Sequence, residues 1–282
     1  MGTDPNPPQI QLEKTYNAAA DHYDHPAVSF WDRFGRRTVE RMSLAPGMKV
    51  LDVCCGMGGS ALPAAERIGP TGKVLAIDLA QNLLNKGIKR AAASGLTNIE
   101  FRRGDLEVLP FPDRSFDAVI CVFGIFFVPD LSGAIRGLWR RVKPKGLLAI
   151  TIWGAKVFEP ADAKFWEAVG REDPELLKSI KPWSKIAEPD PLRALLVECG
   201  VTNPDVAKEP GSHPLSRPED WWTIVMGSGY RSTVEALSPS IRERVKSATI
   251  EAVRQEKIQK LRTDVIYAVA RKGLSKKGTL SS

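Results

Sequence analysis

The spacing of hydrophobic and polar positions changes several times along the 282-residue chain. Between residues 48 and 153, short apolar or β-branched runs alternate with longer segments whose apolar residues recur every three or four positions. Runs of the first kind are typical of buried parallel strands, and segments of the second kind are typical of amphipathic helices. The alternation predicts an α/β fold, a doubly wound, mostly parallel sheet with helices on both of its faces.

Eight elements are predicted within this region. The strands are expected at Met48–Cys54, Lys73–Ile77, Ile99–Arg103, Phe116–Val122 and Gly146–Trp153, and the helices at Ser60–Ile68, Gln81–Ser94 and Leu131–Val142. The first helix is expected to have Ser60 close to its N-cap. Residues 11–42, which precede the first strand, mix charged with aromatic and apolar side chains and are predicted to be helical.

The regular alternation stops after Trp153, and ten prolines interrupt residues 155–258. We expect a helical cap insertion there, with helices that begin near Pro218, at Ser232 and at Ser238. The helix at Ser232 is expected because Ser232 and Glu235 have the spacing of a capping box. One face of the helix after Ser238 is predicted to be apolar, and its residues are Ile241, Val245, Ala248 and Ala252.

Two later segments are predicted to return to the sheet. A weak strand is expected around residues 204–208, and the β-rich segment 263–271 is expected to close the sheet as an antiparallel last strand. The predicted organisation is a helical N-terminal lid (1–45), an α/β core (46–154), a cap region (155–262), a last core strand (263–272) and a basic tail (273–282).

The composition limits the classes to which this protein can belong and the compartment in which we expect it. The longest apolar run, residues 118–128, is shorter than the roughly 20 residues that a transmembrane helix needs, so no membrane span is expected. The first 17 residues are polar and rich in proline, which argues against a secretory signal and for a cytoplasmic protein. The net charge of +7 raises the possibility of a nucleic-acid partner, but solvated helix faces and the basic tail explain most of it.

Metal and disulfide chemistry have little support in the sequence. Four cysteines, at positions 54, 55, 121 and 199, form neither a disulfide framework nor a CxxC pair, and three histidines have no HExxH spacing. We therefore expect reduced thiols and no metal. The strand that ends near Cys121 is not followed by the Asn/Asp-Pro-Pro-Tyr box of amino-methylating nucleic-acid enzymes, which makes nucleic acid an unlikely substrate.

Carboxylates follow three consecutive predicted strands. Asp52 precedes a loop with Gly56 and Gly58, which leads to a helix N-terminus suited to a carboxylate or a phosphate. Asp78 ends the second strand, where it can accept the hydroxyls of a ribose. Asp105 follows the third strand and can accept a hydrogen bond from an adenine amine. A dinucleotide oxidoreductase is disfavoured because position 61 is not a glycine.

With these acids in place, the chain resembles class I S-adenosylmethionine-dependent methyltransferases, in the branch related to ubiquinone and menaquinone biosynthesis. The segments that carry the resemblance are LDVCCGMGG (51–59), VLAIDLA (74–80), FRRGDLEVLPFPDRSFDAVICVFGIFF (101–127), RVKPKGLLAITIW (141–153) and VIYAVARK (265–272). The resemblance implies a Rossmann-like fold that binds S-adenosyl-L-methionine and releases S-adenosyl-L-homocysteine. One position departs from the family pattern, since its usual first glycine after the acid is Cys54 here.

The resemblance also implies roles for individual residues. Asp52, Gly56 and Gly58 would hold the methionine part, and Asp78 would hold the ribose. The adenine would lie against Leu79, Asp105 and Leu106, residues Cys121 to Phe123 would form the wall beside the sulfonium, and Tyr23 would belong to the N-terminal lid.

The acceptor is expected to be a small, apolar or aromatic molecule that takes the methyl group by direct SN2 transfer. Five of the seven tryptophans fall within residues 153–222, in and next to the cap. His25 is the candidate general base, with Tyr23, His22 and His213 as alternatives. Two other functions stay open at this point: a nucleic-acid methyltransferase, and a cofactor-binding protein without turnover. The sequence does not indicate an oligomeric state.

Overall fold

The computed structural model describes residues 7–179 and 183–274, so most of the predicted basic tail lies outside the described residues. A seven-stranded sheet forms its centre, in the order β3-β2-β1-β4-β5-β9-β6. The strands are β1 (Lys49–Val53), β2 (Lys73–Asp78), β3 (Ile99–Arg103), β4 (Phe116–Val122), β5 (Val142–Trp153), β6 (Asp205–Glu209) and β9 (Val265–Arg271), and a separate hairpin pairs β7 (Ser212–Pro214) with β8 (Lys260–Arg262).

The sheet has the predicted parallel core and the predicted antiparallel closing strand. Strands β1 to β5 pair in parallel, whereas β9 pairs antiparallel with β5 on one side and with β6 on the other. The alternation along the strands fills both faces, since Val50 and Ile120 belong to one buried cluster and Leu51 and Val119 to another. The predicted doubly wound α/β fold is therefore confirmed.

Ten α-helices are described. They are α1 (Pro7–Ala19), α2 (Phe30–Glu40), α3 (Ala61–Ile68), α4 (Gln81–Ala93), α5 (Leu131–Arg141), α6 (Ala161–Glu172), α7 (Pro189–Glu198), α8 (Glu219–Met226), α9 (Tyr230–Ala236) and α10 (Pro239–Gln255). The bounds of β3 and β4 match the prediction, and the three core helices differ from it by one residue at one end. The largest shift is at β5, which begins four residues before the predicted Gly146.

The predicted start of a helix at Ser232 is wrong. Helix α9 begins two residues earlier, so Ser232 lies inside it and its hydroxyl donates to the Gly229 carbonyl at 2.9 Å. Glu235, the expected second member of the capping box, forms an ion pair with Arg231 at 2.7 Å. An i,i+4 ion pair within the helix thus replaces the reciprocal cap that the spacing suggested.

The predicted helix start at Ser238 is confirmed, since Ser238 is the N-cap of α10 and its hydroxyl accepts a hydrogen bond from the backbone N–H of Ile241. The predicted apolar face of α10 needs one correction. Thr249 is fully buried, and the neighbouring Ala248 is exposed. The Thr249 hydroxyl donates to the Val245 carbonyl at 2.8 Å, and this internal bond lets a polar side chain take the buried position.

The N-terminal helices lie against the core rather than apart from it. Helix α1 packs on α4 and α9, and α2 packs on α3. Gly35 of α2 touches the backbone of the β1–α3 loop, since a Cβ atom there would lie 2.3 Å from the Gly59 carbonyl carbon. Within the described residues, no helix combines the length and the apolar character needed to cross a membrane.

Candidate functional site

The loop between β1 and α3 is shaped by three residues in the left-handed region of backbone space. Their φ angles are 58° at Cys54, 54° at Gly56 and 91° at Gly58. Gly58 also needs to be small, because a Cβ atom would approach Leu62 and Phe101 to 3.1 Å. The glycine at 58 is therefore required by backbone conformation and by packing, and it does not line a cavity.

Asp78 is the carboxylate that holds this loop in place. Its Oδ2 accepts a hydrogen bond from the Gly56 N–H at 2.8 Å, and its Oδ1 accepts one from the Ala80 N–H at 2.9 Å. Burial raises the pKa of Asp78, and these backbone donors oppose the rise. Each carboxylate oxygen keeps a further lone pair, so Asp78 can also accept hydroxyl groups of a ligand.

Asp52 lies beneath the same loop and is fully buried. Its Oδ2 accepts a hydrogen bond from the Ser60 hydroxyl at 2.7 Å, whereas its Oδ1 has no hydrogen-bond partner. Burial raises the pKa of Asp52 to about 7, although the Ser60 hydrogen bond acts in the opposite direction. Ser60 lines the neighbouring cleft and Asp52 does not, so Asp52 touches the cleft wall through Ser60.

An open cleft of about 1000 Å³ runs along the carboxyl ends of β1, β2 and β3, and we call it the loop cleft. Seven of the predicted cofactor residues line it, and they are Tyr23, Gly56, Asp78, Leu79, Asp105, Leu106 and Phe123. The sequence analysis missed several further wall residues, among them Tyr16, Trp31, Met57, Ser60, Leu83 and Phe127. The aromatic positions of residues 11–42 were the only sequence signal for Tyr16 and Trp31.

Cys121, the remaining predicted cofactor residue, is fully buried in β4 behind the cleft wall. The Cys121 side chain is hydrogen-bonded to Cys54, and this bond, together with burial, raises the pKa of Cys54. Gly124 leaves the space that Cys54 occupies, because a Cβ atom at position 124 would lie 2.3 Å from the Cys54 Cβ. The departure of Cys54 from the family glycine is thus accommodated by Gly124, which follows the end of the neighbouring strand β4.

A second cavity adjoins the loop cleft, and we call it the aromatic cavity. Six residues line both cavities and form a shared wall around the place where they adjoin, namely Leu12, Tyr16, Trp31, Phe123, Phe127 and Val128. The rest of the aromatic cavity is lined by further rings that include Phe126, Trp153, Phe158, Trp166, Trp183 and Tyr230. A ligand in one cavity would therefore lie next to a ligand in the other, beside these mostly aromatic side chains.

Ring contacts hold this shared wall in position. Phe123 stacks on Trp153 with ring centroids 3.9 Å apart, and Tyr23 lies parallel to Trp31 at 5.7 Å. Burial and the nearby Asp78 and Cys54 raise the pKa of Tyr16. The Tyr16 phenol therefore stays neutral, and the side chains of the shared wall carry no charge.

The histidines lie outside both cavities among the described residues. His25, the predicted base, caps a short 3₁₀ helix, with its Nδ1 accepting a hydrogen bond from the Ala27 N–H at 3.1 Å. His213 is buried and bonded through Nε2 to the Ala27 carbonyl at 2.8 Å. The His22 Nδ1 is buried without a partner, and burial lowers the pKa of His22.

No cluster of metal-ligating side chains is present in the part of the chain that the structure describes. Residues 7–179 and 183–274 contain no group of three or more His, Cys, Asp or Glu side chains placed to hold a metal ion.

Solved structures share this fold at low sequence identity. The cyclase SpnF has a TM-score of 0.61 and 18% identity over 97% of this chain and all of that chain. Phosphoethanolamine N-methyltransferase 2 of Haemonchus contortus, solved with S-adenosyl-L-methionine, has a TM-score of 0.59 and 16% identity over 97% of this chain and 62% of that one. At such identities the likeness establishes the fold alone.

Sequence comparison is more specific than the fold. Demethylmenaquinone methyltransferase of Geobacillus stearothermophilus is 35% identical over 141 residues, and its counterpart in Listeria monocytogenes serotype 4a is 36% identical over 143 residues. In each case the match covers 49% of this chain and 60% of the relative. The model of the ubiE/COQ5 methyltransferase family matches residues 10–165, more than half of the sequence. The chain belongs to the ubiE/COQ5 methyltransferase family.

Proposed function

We propose that the protein is a methyltransferase that holds S-adenosyl-L-methionine in the loop cleft and methylates a small, apolar, planar molecule in the aromatic cavity. The observation that carries this proposal is the contact between the two cavities across Tyr16, Trp31 and Phe123. The methyl group and the acceptor atom must come within about 3.5 Å of each other, so the residues of the shared wall would border the place of transfer rather than lie between the two molecules.

The residues of the loop cleft fit the cofactor. Asp78 has lone pairs for the ribose hydroxyls, and Leu79 and Leu106 offer apolar surface for the adenine beside Asp105. Asp52 lies behind the cleft wall, where its carboxylate accepts a hydrogen bond from Ser60 and so positions a hydroxyl group that lines the cleft. These contacts support the assignment of Gly56 and Asp78 to the cofactor, with Asp52 acting through Ser60.

S-Adenosyl-L-methionine supplies, when bound, a methyl group already activated by its attachment to a sulfonium. The protein therefore has mainly to align the acceptor and to exclude water. Tyr16, Trp31 and Phe123 present ring faces that can stabilise a positive charge and keep the junction dry. Alignment of two reactants in this way accounts for up to about 7–11 kcal/mol of the barrier.

The aromatic cavity supports the choice of a planar, apolar acceptor. Its walls are mostly phenylalanine and tryptophan, with a few hydroxyl groups on residues 228–233. Rings of this kind stack on flat molecules and bury apolar area. The names of the relatives from Geobacillus and Listeria suggest demethylmenaquinone as one such acceptor, and we extend the proposal to quinone-like molecules as a class.

Of two roles predicted from the sequence, the proposal drops one and keeps the other. His25 has no catalytic part, because its imidazole caps a helix and lines neither cavity. The N-terminal segment keeps its predicted role as a lid, since Leu12 and Tyr16 of α1 line both cavities. Closure of α1 over the bound molecules would remove water from the place of transfer.

The test is calorimetry with S-adenosyl-L-homocysteine, followed by a screen of acceptors with labelled S-adenosyl-L-methionine. The screen should include naphthols, benzene and naphthalene hydroquinones, amines, fatty acids and RNA. We expect micromolar binding of the cofactor product and label transfer to the hydroquinones or naphthols. Binding without transfer to any acceptor would indicate a cofactor-binding protein, and transfer to RNA alone would replace the proposed substrate class.

A further inference from the structure

A buried carboxylate stands behind one wall of the aromatic cavity. Asp162, in the first turn of α6, is only 2% exposed. Its Oδ1 accepts a hydrogen bond from the Tyr230 hydroxyl at 2.5 Å and another from the Trp166 indole N–H at 3.0 Å. Tyr230 and Trp166 both line the cavity, so Asp162 sets the orientation of two wall residues without lining the cavity itself.

The direction of the bond between Tyr230 and Asp162 follows from the chemistry of its surroundings. An indole N–H can only donate, and the N-terminal end of a helix favours a negative charge at Asp162. Burial and the neighbouring Asp162 raise the pKa of Tyr230, so the phenol keeps its single proton. That proton lies in the bond to Asp162, and the hydroxyl oxygen of Tyr230 retains only lone pairs for a ligand.

Two serine hydroxyl groups next to Tyr230, those of Ser228 and Ser232, have the same polarity. Ser232 donates its hydroxyl proton to the Gly229 carbonyl at 2.9 Å, and Ser228 donates its proton to the Val225 carbonyl at 3.4 Å. Both serines line the aromatic cavity. The segment 228–232 therefore presents to the cavity hydroxyl oxygens whose protons are already used inside the protein.

We infer that Tyr230 is a specificity-determining residue that selects acceptors carrying a hydroxyl group, with Asp162 as the positioning residue that holds its proton away from the cavity. This inference rests on the proposed function and deepens it. An acceptor O–H can donate to the Tyr230 oxygen, whereas a ketone oxygen would place its lone pairs against those of Tyr230. The cavity should consequently prefer the hydroquinone over the quinone of the same skeleton.

The inference does not come from the family match. Tyr230 lies 65 residues beyond the end of segment 10–165, which the family model matches. Its ring is fixed by edge-on or tilted contacts with Phe165, Trp166 and Trp221 at centroid distances of 5.2, 5.9 and 5.8 Å. Removal of the hydroxyl alone should therefore leave the ring in place.

The experiment measures binding to the full-length protein loaded with S-adenosyl-L-homocysteine. The two probes are 4-methoxy-1-naphthol, which has one hydroxyl group, and 1,4-dimethoxynaphthalene, which has none. We expect the naphthol to bind the wild type roughly ten-fold more tightly, the value of one buried hydrogen bond. Tyr230→Phe should abolish this difference by weakening the naphthol alone, whereas a merely structural defect would weaken both probes.

The matched control is Tyr267→Phe, which removes a buried tyrosine hydroxyl without a partner in β9, a strand that lines neither cavity. It should keep the preference for the naphthol. If Tyr230→Phe fails to fold, Asp162→Ala provides the second test, because it frees the Tyr230 proton and should reduce the preference while improving the binding of 1,4-naphthoquinone.

Equal affinities of the wild type for the two probes, or an unchanged preference in Tyr230→Phe, would overturn the inference. These outcomes are separate from the proposed function, which fails if the wild type does not bind S-adenosyl-L-homocysteine or transfers no methyl group to any acceptor. A protein that binds the cofactor product and methylates acceptors with and without a hydroxyl equally well would keep the proposed function and lose the role of Tyr230.

Discussion

The loop cleft and the aromatic cavity share a wall but are built in different ways. The loop cleft takes its polar residues from the ends of neighbouring strands, in short segments around Gly56, Asp78 and Asp105. The aromatic cavity takes its rings from segments between positions 11 and 233 that are far apart in the sequence. The loop cleft is therefore specified by local motifs, whereas the aromatic cavity depends on tertiary packing.

The two regions also differ in how they manage polar groups. On the loop side, Asp52 and Asp78 are buried carboxylates whose charged forms are disfavoured by burial. On the aromatic side, the hydroxyl protons of Ser232 and Tyr230 are already bonded within the protein. We expect the loop side to respond to pH and to loss of single carboxylates, and the aromatic side to respond to changes of shape.

The largest expected effect is a pH dependence of stability caused by Asp52. Its pKa is raised from 3.8 to about 7 in the folded protein, so the folded state binds more protons than the unfolded state between these values. The free energy of unfolding should consequently fall as the pH rises through this window, by up to about 4 kcal/mol from this group. Asp52→Asn should remove this part of the slope in denaturant titrations of the ligand-free protein.

Ser60→Ala sharpens this test. The Ser60 hydroxyl stabilises the charged form of Asp52, so its loss should extend the fall of stability to higher pH and increase the total loss. Parallel stability curves for the wild type and Asp52→Asn would contradict the assignment of the slope to Asp52.

The second effect concerns the affinity for the cofactor. Asp78→Ala removes the acceptor of the Gly56 and Ala80 N–H groups together with the proposed ribose contact. We expect roughly 100-fold weaker binding of S-adenosyl-L-homocysteine by calorimetry, since bonds to a charged group are worth about 1.5–3 kcal/mol each.

Asp117→Ala is the matched control for Asp78→Ala. Asp117 also accepts a backbone hydrogen bond, from the Lys49 N–H at 2.8 Å, but it lies at the opposite end of the sheet. The control should bind the cofactor product as the wild type does. Equal affinities of the two variants would remove Asp78 from the cofactor site.

The third effect tests the fit between Cys54 and Gly124. Gly124→Ala should destabilise the protein by about 1–3 kcal/mol, because the new methyl group overlaps the Cys54 side chain. Its own φ of −116° is accessible to alanine, so the cost is one of packing. Cys54→Gly in the same chain should restore most of the loss in chemical denaturation.

Gly137→Ala serves as the control for this pair, since no atom lies within 4 Å of its added Cβ. This substitution within α5 should be neutral or stabilising by up to about 1 kcal/mol. If the double variant is as unstable as Gly124→Ala alone, the two positions are not coupled as we describe.

The smallest effect is expected on the acceptor side. Phe126 lines the aromatic cavity and packs on Phe127 and Trp183. Its ring centroid lies 4.7 Å from that of Phe127 and 5.3 Å from that of Trp183. Phe126→Leu removes one ring of the cavity wall on which a planar acceptor can stack, a contact worth about 0.5–1.5 kcal/mol, so acceptor KM should rise by up to roughly ten-fold. Cofactor affinity should not change. Phe111→Leu, at a phenylalanine outside both cavities, should alter neither quantity, and equal effects of the two variants would count against the division into two regions.

The same division explains which parts of the molecule the sequence could predict. Asp78, Asp105 and Gly56 follow strands that a local pattern reveals, and the parallel topology brings strand ends to one edge of the sheet. Tyr16 and Tyr230 carry no such signal, because their place at a cavity depends on how separate helices pack. The wrong prediction of a cap at Ser232 has the same origin. Helix α9 begins after Gly229, which makes no side-chain cap, rather than at the strongest local capping motif.

The contact between Gly35 and Gly59 constrains how this protein can be re-engineered. Each glycine leaves room for the main chain of the other segment, since a Cβ atom at position 59 would lie 2.9 Å from the Trp31 carbonyl oxygen. The backbone of α2 is therefore in direct contact with the backbone of the β1–α3 loop. No side chain lies between them that could adjust if either segment moved. A chimera that exchanges the first forty residues with those of another methyltransferase would have to preserve this interlock, or it would distort the loop before any ligand arrives.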